Sequence, residues 1–392
     1  MQLTRTLLTL ALTLSVAGTV TAGASGPPDS AKGKCVESVP FRSGTDGYAS
    51  YRIPAVVKAA DGALLAFAEG RRGGSSDTGD IDIVLRRSGD GGCTWSPQQV
   101  VTDQGPNTIG NPAPVVDPAS GDLVLLSVRN GPVTETQILR GEASAEDTRR
   151  VFVQRSTDDG RTFSAPTEIT AATKLPNWRW YATTPGHAIA LRSGRLLVPA
   201  NHSIAPPAGS ADTGAEAKYY GGHSLYSDDG GRSWQIGYVD DNPNGYLNVN
   251  ETTAAQLPDG RVYFNTREHN GTAPGTRADA YSADGGETLV KPFRPQATLI
   301  GPVVQASVLS VGSTLVYSGP ADPAARAAMT LRTSTDQGVT WQPALAVSGL
   351  PAAYSDLVSV DRSTLGLLYE TGDFSANETI TFRRIPLKDV VR

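Results

Sequence analysis

The octapeptide SGDGGCTW, Ser88 to Trp95, recurs in varied form four more times along the chain. Its pattern, Ser-x-Asp-x-Gly-x-Thr/Ser-aromatic, suits a hairpin turn. Asp can accept hydrogen bonds from backbone N–H groups just after it, Gly allows a positive φ, and the ring can pack on the sheet. The pattern therefore predicts a repeated turn rather than a reaction centre. The other copies are Ser156–Phe163, Ser227–Trp234, Ser334–Trp341 and a weaker one, Ser282–Leu289, which ends in Leu289 instead of an aromatic residue.

The spacing of the copies indicates the architecture. They begin 68, 71, 55 and 52 residues apart, which is the length of one four-stranded sheet unit with its loops. Short runs of Val, Ile, Leu and Tyr flank each copy, and after the N-terminal leader no long stretch has helical periodicity. We therefore expect an all-β fold, a six-bladed β-propeller of four-stranded antiparallel sheets.

The expected blades differ in how clearly they are defined. Five contain a repeat turn, and the third is expected to begin with the strand Ala188 to Leu191. The sixth has three strands after the last turn, within 357–385, and lacks an outer strand. The segment Cys35 to Phe41 can supply it and so close the ring without a free sheet edge. Long loops around 132–150 and 204–220 are expected to form a substrate rim.

Composition narrows the class of protein. The chain has 392 residues, 42 Gly, 27 Pro and a formal net charge of −5, which fits a turn-rich globular fold. The negative charge and the lack of a basic run argue against a nucleic-acid partner. Any anion-binding site must therefore be a local cluster of cations.

The N-terminus has the pattern of a secretory signal peptide. Arg5 precedes an apolar run, and Ala22-Gly23-Ala24 resembles a cleavage site. We expect residues 1–24 to be removed, 25–34 to be a linker, and 35–390 to form a single propeller domain that is secreted to the extracellular space. A membrane partner is not expected, because the apolar run is too short for an anchor.

Cysteine and histidine usage suggests a bridge but no metal site. In an oxidising compartment Cys35 and Cys93 could form a disulfide, although two unrelated thiols remain an alternative. The four histidines are scattered, and each is expected to be a structural hydrogen-bonding residue. No metal or cofactor is expected. The histidines are His187, His202, His223 and His269.

Several chemically suited residues lie outside the repeats, and their order resembles a known family. They occur in the segments YRIP, SSDTG followed by IVLRR, NET, NTR and AYSDL. Together with the repeat turns, called Asp boxes in that family, these segments resemble the secreted bacterial sialidases, the exo-α-sialidases of glycoside hydrolase family 33. The resemblance covers essentially the whole chain after the leader.

The resemblance implies a role for each matching residue. Three arginines would bind the substrate carboxylate, since a guanidinium pairs with a carboxylate through two parallel hydrogen bonds. They are Arg52, Arg267 and Arg326. Arg71 would be a further substrate-side arginine, and Glu370 would orient Arg52. The adjacent Arg72 is an alternative to Arg71, and Arg277 is an alternative to Arg267.

The resemblance also implies a tyrosine nucleophile. A carboxylate nucleophile would approach the carboxylate on the anomeric carbon against like charge, whereas a tyrosine is neutral until it reacts. Tyr354 would be the nucleophile, Glu251 its base, and Asp77 the general acid and base. Two other acids of the same loop, Asp80 and Asp82, suit turn or strand-edge roles better.

The implied function is retaining hydrolysis of terminal α-linked sialic acids by a monomer. The substrates would be sialylated glycans, glycoproteins or glycolipids. A trans-sialidase or a hydrolase of a deaminated sialic acid is an alternative on the same fold. A non-catalytic binding propeller would have no use for Tyr354, Glu251 and Asp77 together. The aromatic cluster of 177–181 could line the pocket or pack between blades.

Overall fold

The computed structural model describes residues 35–242, 245–270 and 276–391, and the expected signal peptide and linker lie outside them. The fold is all-β with a propeller arrangement of sheets, which confirms the expected class. The first strand, β1 (Glu37–Arg42), belongs to the last sheet. In the described part of the chain, no helix is long and apolar enough to span a membrane.

The largest sheet has eight strands and contains two consecutive four-stranded units. One parallel bridge, between Ile81 and Thr108, joins the two units. The described residues therefore form five hydrogen-bonded sheets instead of the six separate blades that the sequence predicted. The strands are β2 (Ser50–Lys58), β3 (Leu64–Arg71), β4 (Ile81–Ser88), β5 (Gln99–Thr102), β6 (Thr108–Val116), β7 (Leu123–Asn130), β8 (Arg150–Ser156) and β9 (Thr167–Glu168).

Among the described residues, two short α-helices follow β7 in the chain. Helix α1 (Glu135–Arg140) interrupts the long loop from β7 to β8. A capping box at Thr134 begins this helix, and Gly141 ends it in the left-handed conformation. Helix α2 (Thr170–Thr173) is a single turn that follows β9.

The next sheet begins earlier in the sequence than expected. Its first long strand covers 178–183, and only two residues of the expected strand Ala188 to Leu191 pair with the sheet. The reason is the Pro185-Gly186 turn, which divides the strand in two. The strands are β10 (Trp178–Thr183), β11 (Ile189–Ala190), β12 (Leu196–Ile204), β13 (Tyr220–Ser227) and β14 (Gln235–Asp240).

The following two sheets have the expected four strands each. They are antiparallel throughout, and their apolar faces pack against the neighbouring sheets. The strands are β15 (Val249–Gln256), β16 (Val262–Glu268), β17 (Arg277–Ser282), β18 (Arg294–Pro295), β19 (Ser307–Val311), β20 (Thr314–Pro320), β21 (Met329–Ser334) and β22 (Gln342–Ala346).

The last sheet contains the N-terminal strand. Its order is β1, then β25 (Thr379–Pro386), β24 (Thr364–Thr371) and β23 (Ala352–Asp361). As the sequence predicted, β1 is the outer strand and pairs antiparallel with β25. Cys35 and Cys93 form a disulfide that ties the start of β1 to the first repeat turn.

The repeat turns are held by their own Ser and Asp side chains. In the first turn Asp90 accepts hydrogen bonds from the backbone N–H groups of Cys93 and Thr94, at 3.0 and 2.9 Å. The turn's aromatic ring also packs on the preceding unit. Trp95, for example, meets the ring of Phe382 edge-on at 5.5 Å. The motif therefore joins neighbouring units as well as shaping a turn.

A register irregularity recurs at the opposite end of the sheets. In five of the six consecutive sheet units the first strand has a register shift near its start, typical of a β-bulge, which re-aims the side chains there. The affected strands are β2, β6, β10, β15 and β23, with shifts at Arg52/Ala55, Gly110/Ala113, Trp178/Tyr181, Val249/Thr252 and Ala352/Ser355.

Candidate active site

A polar cavity lies at the end of the strands opposite the repeat turns. It is bounded by the starts of first strands, the ends of second strands and the loops before third strands. It brings together seven of the eight residues to which the resemblance assigns a role in the site, from segments up to about 300 residues apart. They are Arg52, Arg71, Asp77, Glu251, Arg267, Arg326 and Tyr354.

Tyr354 lines the cavity and is hydrogen-bonded to Glu251. The phenol donates to Glu251 Oε1, and Arg267 donates to the other carboxylate oxygen at 2.8 Å and to the phenol oxygen at 3.3 Å. The guanidinium of Arg52 lies over the ring, 5.0 Å from its centroid. Burial raises the pKa of Tyr354 and the Glu251 carboxylate raises it further, whereas Arg267 and Arg52 oppose this shift. The phenol is therefore neutral at rest.

Glu370 holds the starts of β2 and β23 together below the cavity. Its Oε1 accepts from Arg52 Nε at 2.8 Å and from the Ile53 N–H at 2.9 Å, and its Oε2 accepts from the Tyr354 N–H at 3.2 Å. Glu370 is fully buried and does not itself line the cavity. One carboxylate therefore positions both the first arginine and the tyrosine.

Asp77 enters the cavity from the loop between β3 and β4. Arg71 forms an ion pair with Asp77 at 2.8 Å and also donates to the carbonyls of Ser75 and Ser76, so it orders the whole loop. The Asp77 side chain is 63% exposed. Desolvation alone would raise the pKa of Asp77, but the charges of Arg71 and Arg52 lower it below the usual value.

Comparison with known proteins places the chain in a family. The BNR repeat-like domain matches residues 62–367. Sialidase-2 of Rattus norvegicus is 30% identical, and the alignment covers 88% of this chain and 94% of that protein. The chain belongs to the sialidase family.

Bacterial sialidases are similar to the chain as well. The sialidase of Bacteroides fragilis is 29% identical over 89% of this chain, which spans 64% of that protein. A solved structure, the Hadza microbial sialidase Hz136, superimposes with a TM-score of 0.77 at 27% identity, covering 89% of this chain and 68% of that one.

In this member of the sialidase family, the alternative residues lie elsewhere. Arg72 stacks on Tyr48 and pairs with Asp80 and Asp82. Arg277 is completely buried, where it donates to Asn265 and to the Val304 carbonyl. None of these residues lines the cavity.

Arg326 is the most exposed of the three predicted carboxylate-binding arginines. Its guanidinium donates to the Val303 carbonyl at 3.2 Å, and the residue lines the cavity. Arg52 and Arg267 are instead nearly buried and already held by carboxylates. The three cations surround one space although they come from different sheets.

The aromatic cluster of β10 contributes to both the cavity and the core. Trp180 lines the cavity, whereas Trp178 and Tyr181 pack inside against His202 and His223. The cluster therefore both lines the pocket, through Trp180, and packs in the core, through Trp178 and Tyr181.

Three of the four histidines are structural, as expected. His202 bonds to His223 and Asp241, and His187 bonds to Asp356. His269 differs, because it lines the cavity. In the described part of the chain no group of three or more His, Cys, Asp or Glu residues could hold a metal ion.

Several polar residues of the cavity are not identified by the sequence patterns. Arg149 is one of them. Like Arg277 and Arg326, it lies at or just before the third strand of its unit, and this shared position could have identified it as a candidate site residue. Glu135 lies in a long loop that is expected to form the rim, but the residue itself has no motif. The amides give no signal in the sequence. These residues are Glu69, Asn111, Glu135, Arg149, Asn201 and Asn250.

A larger cleft, of about 780 Å³, lies at the repeat-turn end. Its Arg195 is already held by carboxylates, by Asp228 of the cleft at 2.7 Å and by the nearby Glu287 at 2.8 Å. It contains none of the predicted site residues. The smaller cavity is therefore the better candidate for the active site.

Proposed function

We propose that this protein removes terminal α-linked sialic acids from sialylated glycans, glycoproteins and glycolipids. The observation that supports this most is the Tyr354 hydroxyl, which is hydrogen-bonded to Glu251 and flanked by Arg267 and Arg52. A neutral nucleophile with a base, surrounded by cations, suits a sugar that carries a carboxylate on its anomeric carbon.

In the first step the Arg52, Arg267 and Arg326 guanidinium groups bind the substrate carboxylate. Tyr354 attacks C2 and transfers its proton to Glu251, so that a bond from the phenol oxygen to C2 forms. The bond from C2 to the aglycone oxygen breaks, and that oxygen takes the proton of Asp77. The cations lower the cost of charge that develops on the phenol and the leaving oxygen.

In the second step water replaces the tyrosine. Asp77, now a carboxylate, takes a proton from the water as its oxygen bonds to C2. The bond between C2 and the phenol oxygen breaks, and Glu251 returns the proton to Tyr354. Two inversions at C2 give net retention of configuration.

The acid role requires Asp77 to be protonated when substrate is bound. In the free protein, Arg71 and Arg52 favour its carboxylate. A bound substrate carboxylate neutralises part of the positive charge in the cavity, which raises the pKa of Asp77 towards the value that an acid needs. Substrate binding and proton uptake are thus coupled.

A fluorogenic α-sialoside tests the function. We expect the folded protein to release the fluorophore without added metal or cofactor, and Tyr354→Phe to lower kcat by about three orders of magnitude because the nucleophile is lost. Tyr281→Phe is the matched control, since its hydroxyl donates to the Gln337 carbonyl outside the cavity. Full activity of Tyr354→Phe would contradict the nucleophile assignment.

The stereochemical outcome is a separate measurement. Proton NMR during the first turnovers should show the α-anomer of free sialic acid before it equilibrates. The β-anomer as first product would contradict a covalent tyrosyl intermediate. Adding a sugar acceptor to the same reaction separates hydrolysis from transfer.

We also propose that the protein is exported. The support is the signal-like pattern of residues 1–24, together with the Cys35 and Cys93 disulfide, which suits an oxidising compartment. N-terminal sequencing of protein from the culture medium should begin near Ser25.

A further inference from the structure

A short segment outside the strands, 300–304, supports two residues of the cavity. It joins β18 to β19, and none of its residues belongs to a sheet. Arg326 donates to its Val303 carbonyl at 3.2 Å, and the Val304 side chain packs in a buried cluster with Tyr354. Because no sheet partner holds this segment, its position depends on the side chains that donate to its carbonyl groups.

Arg277, the first residue of β17, ties this segment to strand β16. Its Nη1 donates to the Val304 carbonyl at 2.8 Å. Its Nε and Nη2 donate to Asn265 Oδ1 at 2.9 and 2.6 Å. Asn265 lies on β16, two residues before Arg267, so one guanidinium joins the strand that carries Arg267 to the segment that supports Arg326.

Arg277 is buried without a counter-charge. Only 2% of it is exposed, and no carboxylate lies within ion-pair distance of its guanidinium in the described part of the chain. Burial lowers the pKa of the guanidinium, and a buried cation without an ion pair is costly for the folded state. What the side chain provides is a rigid set of N–H donors that reaches two separate parts of the chain. These hydrogen bonds are therefore the contribution of Arg277 to the fold.

Asn265 is held in the orientation that Arg277 needs. Its Nδ2 donates to the Tyr263 hydroxyl at 3.0 Å, which directs Oδ1 towards Arg277. The Tyr263 hydroxyl in turn donates to the buried Asp279 at 3.3 Å, and Arg294 holds the other oxygen of Asp279 at 2.7 Å. A chain of hydrogen bonds therefore fixes the acceptor of Arg277 on β16.

We propose that Arg277 is a positioning residue for the substrate carboxylate, which it does not itself touch. By tying 300–304 to β16, it sets the position of Arg326 relative to Arg267. A carboxylate is bound well only when the guanidinium groups around it are correctly spaced, because each hydrogen bond has a narrow range of length and angle. The inference rests on the proposed function and deepens it, since it adds a residue outside the cavity to the support of the site.

Arg326 is the arginine that should respond to the loss of Arg277. Carboxylates already hold the other two carboxylate-binding arginines, through ion pairs of 2.8 Å each. Arg326 is instead bound to the Val303 carbonyl, one residue before the carbonyl that Arg277 holds. A shift of 300–304 would therefore move Arg326 and leave the other two in place.

Two competitive inhibitors measure how well the carboxylate is bound, a 2,3-unsaturated sialic acid and its carboxamide. They differ only in the group that the arginines bind, so the inhibition constant of the amide divided by that of the acid reports carboxylate recognition. We expect Arg277→Met to lower this ratio by about tenfold, because a displaced Arg326 binds the acid less well. A loss of stability alone would leave the ratio of the folded protein unchanged.

Arg277→Lys keeps the test informative if Arg277→Met does not fold. An ammonium group keeps the charge but lacks the planar fork that binds Asn265 and the Val304 carbonyl together. We therefore expect the inhibitor ratio to fall several-fold in this variant as well. A wild-type ratio in Arg277→Lys would show that the charge is sufficient, and would overturn positioning through the hydrogen bonds.

Arg332→Met is the matched control. Arg332 is also buried, and its guanidinium lies 5.8 Å from the centroid of the Tyr317 ring, over which Arg277 lies at 5.7 Å. Arg332 donates to the Ile300 carbonyl at 2.6 Å, at the other end of 300–304 from Val304. Its loss should lower the free energy of unfolding but leave the inhibitor ratio unchanged. An equal fall of the ratio in both variants would overturn the specific role of Arg277.

A double-mutant cycle tests whether Arg277 acts through Arg326. In an Arg326→Ala background, Arg277→Met should lower the inhibitor ratio little further, because the side chain that it positions is already absent. Fully additive effects would contradict this route.

The outcomes separate the inference from the function on which it rests. An unchanged inhibitor ratio in folded Arg277→Met would overturn the positioning role while leaving the hydrolase intact. A wild-type protein that binds neither inhibitor and cleaves no fluorogenic α-sialoside would overturn the proposed function itself.

Discussion

Ile53 shows how single residues are constrained around the site. It has a φ of +60°, which is rare for a β-branched residue. Its N–H and the adjacent Arg52 both donate to Glu370 Oε1, which compensates for the unfavourable backbone conformation. This conformation accompanies the bulge in β2 that turns Arg52 towards the cavity.

The pH dependence of activity should depend on the charge of Arg71 beside Asp77. Arg71 lowers the pKa of Asp77, and the proposed mechanism needs Asp77 protonated. Arg71→Gln should raise that pKa, so a larger fraction of Asp77 is protonated at a given pH. The alkaline limb of kcat/KM against pH should therefore move to higher pH.

Arg71→Lys is the control for this prediction, because it keeps the charge and should shift the limb less. The measurement is kcat/KM on a fluorogenic α-sialoside across the pH range in which both variants stay folded. An alkaline limb that does not move in Arg71→Gln would contradict the assignment of Asp77 as the acid.

At the scale of the element, the glycines of the repeat turns join neighbouring sheets. Gly338 has a φ of +93°, and a Cβ there would lie 2.5 Å from the ring of Tyr263 in the preceding sheet. The turn can approach so closely only because this position has no side chain. The Trp341 ring packs on the same tyrosine at 6.0 Å.

Gly338→Ala should therefore lower the free energy of unfolding by about 2 to 4 kcal/mol, through backbone strain and overpacking together. Gly312→Ala is the control, since Gly312 also has a positive φ of +61°, but a Cβ at this position would meet no other atom within 4 Å. It should cost about 1 kcal/mol. Equal losses in chemical denaturation would show that the contact with Tyr263 contributes nothing.

At the scale of the whole molecule, stability depends on closing the ring. The outer position in the last sheet is filled by β1, and the Cys35 to Cys93 disulfide spans 58 residues from that strand to the first repeat turn. The bond restricts the unfolded chain and secures the closing strand in the folded one.

Replacing both cysteines by serine should lower the free energy of unfolding by about 4 kcal/mol on the chain-entropy account. Thermal unfolding with and without a reducing agent is the measurement. Reductant should lower the Tm of the wild-type protein and leave the Tm of the double variant unchanged. An unchanged wild-type Tm after verified reduction would contradict this role for the bridge.

Much of the architecture follows from local sequence. The repeat turns can be predicted from the sequence because their hydrogen bonds are made by the Ser and Asp side chains of the motif itself. The spacing of the turns then corresponds to four-stranded units. The family's order of residues likewise identified Arg52, Glu251 and Tyr354, which the cavity brings together. The sequence interpretation was wrong about where the third unit begins: it placed the first strand at Ala188 to Leu191, whereas the unit begins at β10, and the turn at Pro185-Gly186 leaves only Ile189 and Ala190 of the expected strand paired.

Long-range geometry settled which of two similar side chains reaches the cavity. Arg71 and Arg72 are adjacent, and successive side chains of a strand point to opposite faces. A shift of one residue in the register of the strand would therefore exchange the surroundings of the two arginines. A β-bulge shifts the register of a strand by one residue, and the sequence contains no signal of the bulges found here. Arg149 illustrates the same limit, since it becomes notable only because the fold buries it against the Trp180 ring with few partners. Local pattern therefore specifies the turns and residue types of this propeller, whereas the closed ring determines which charges share one space.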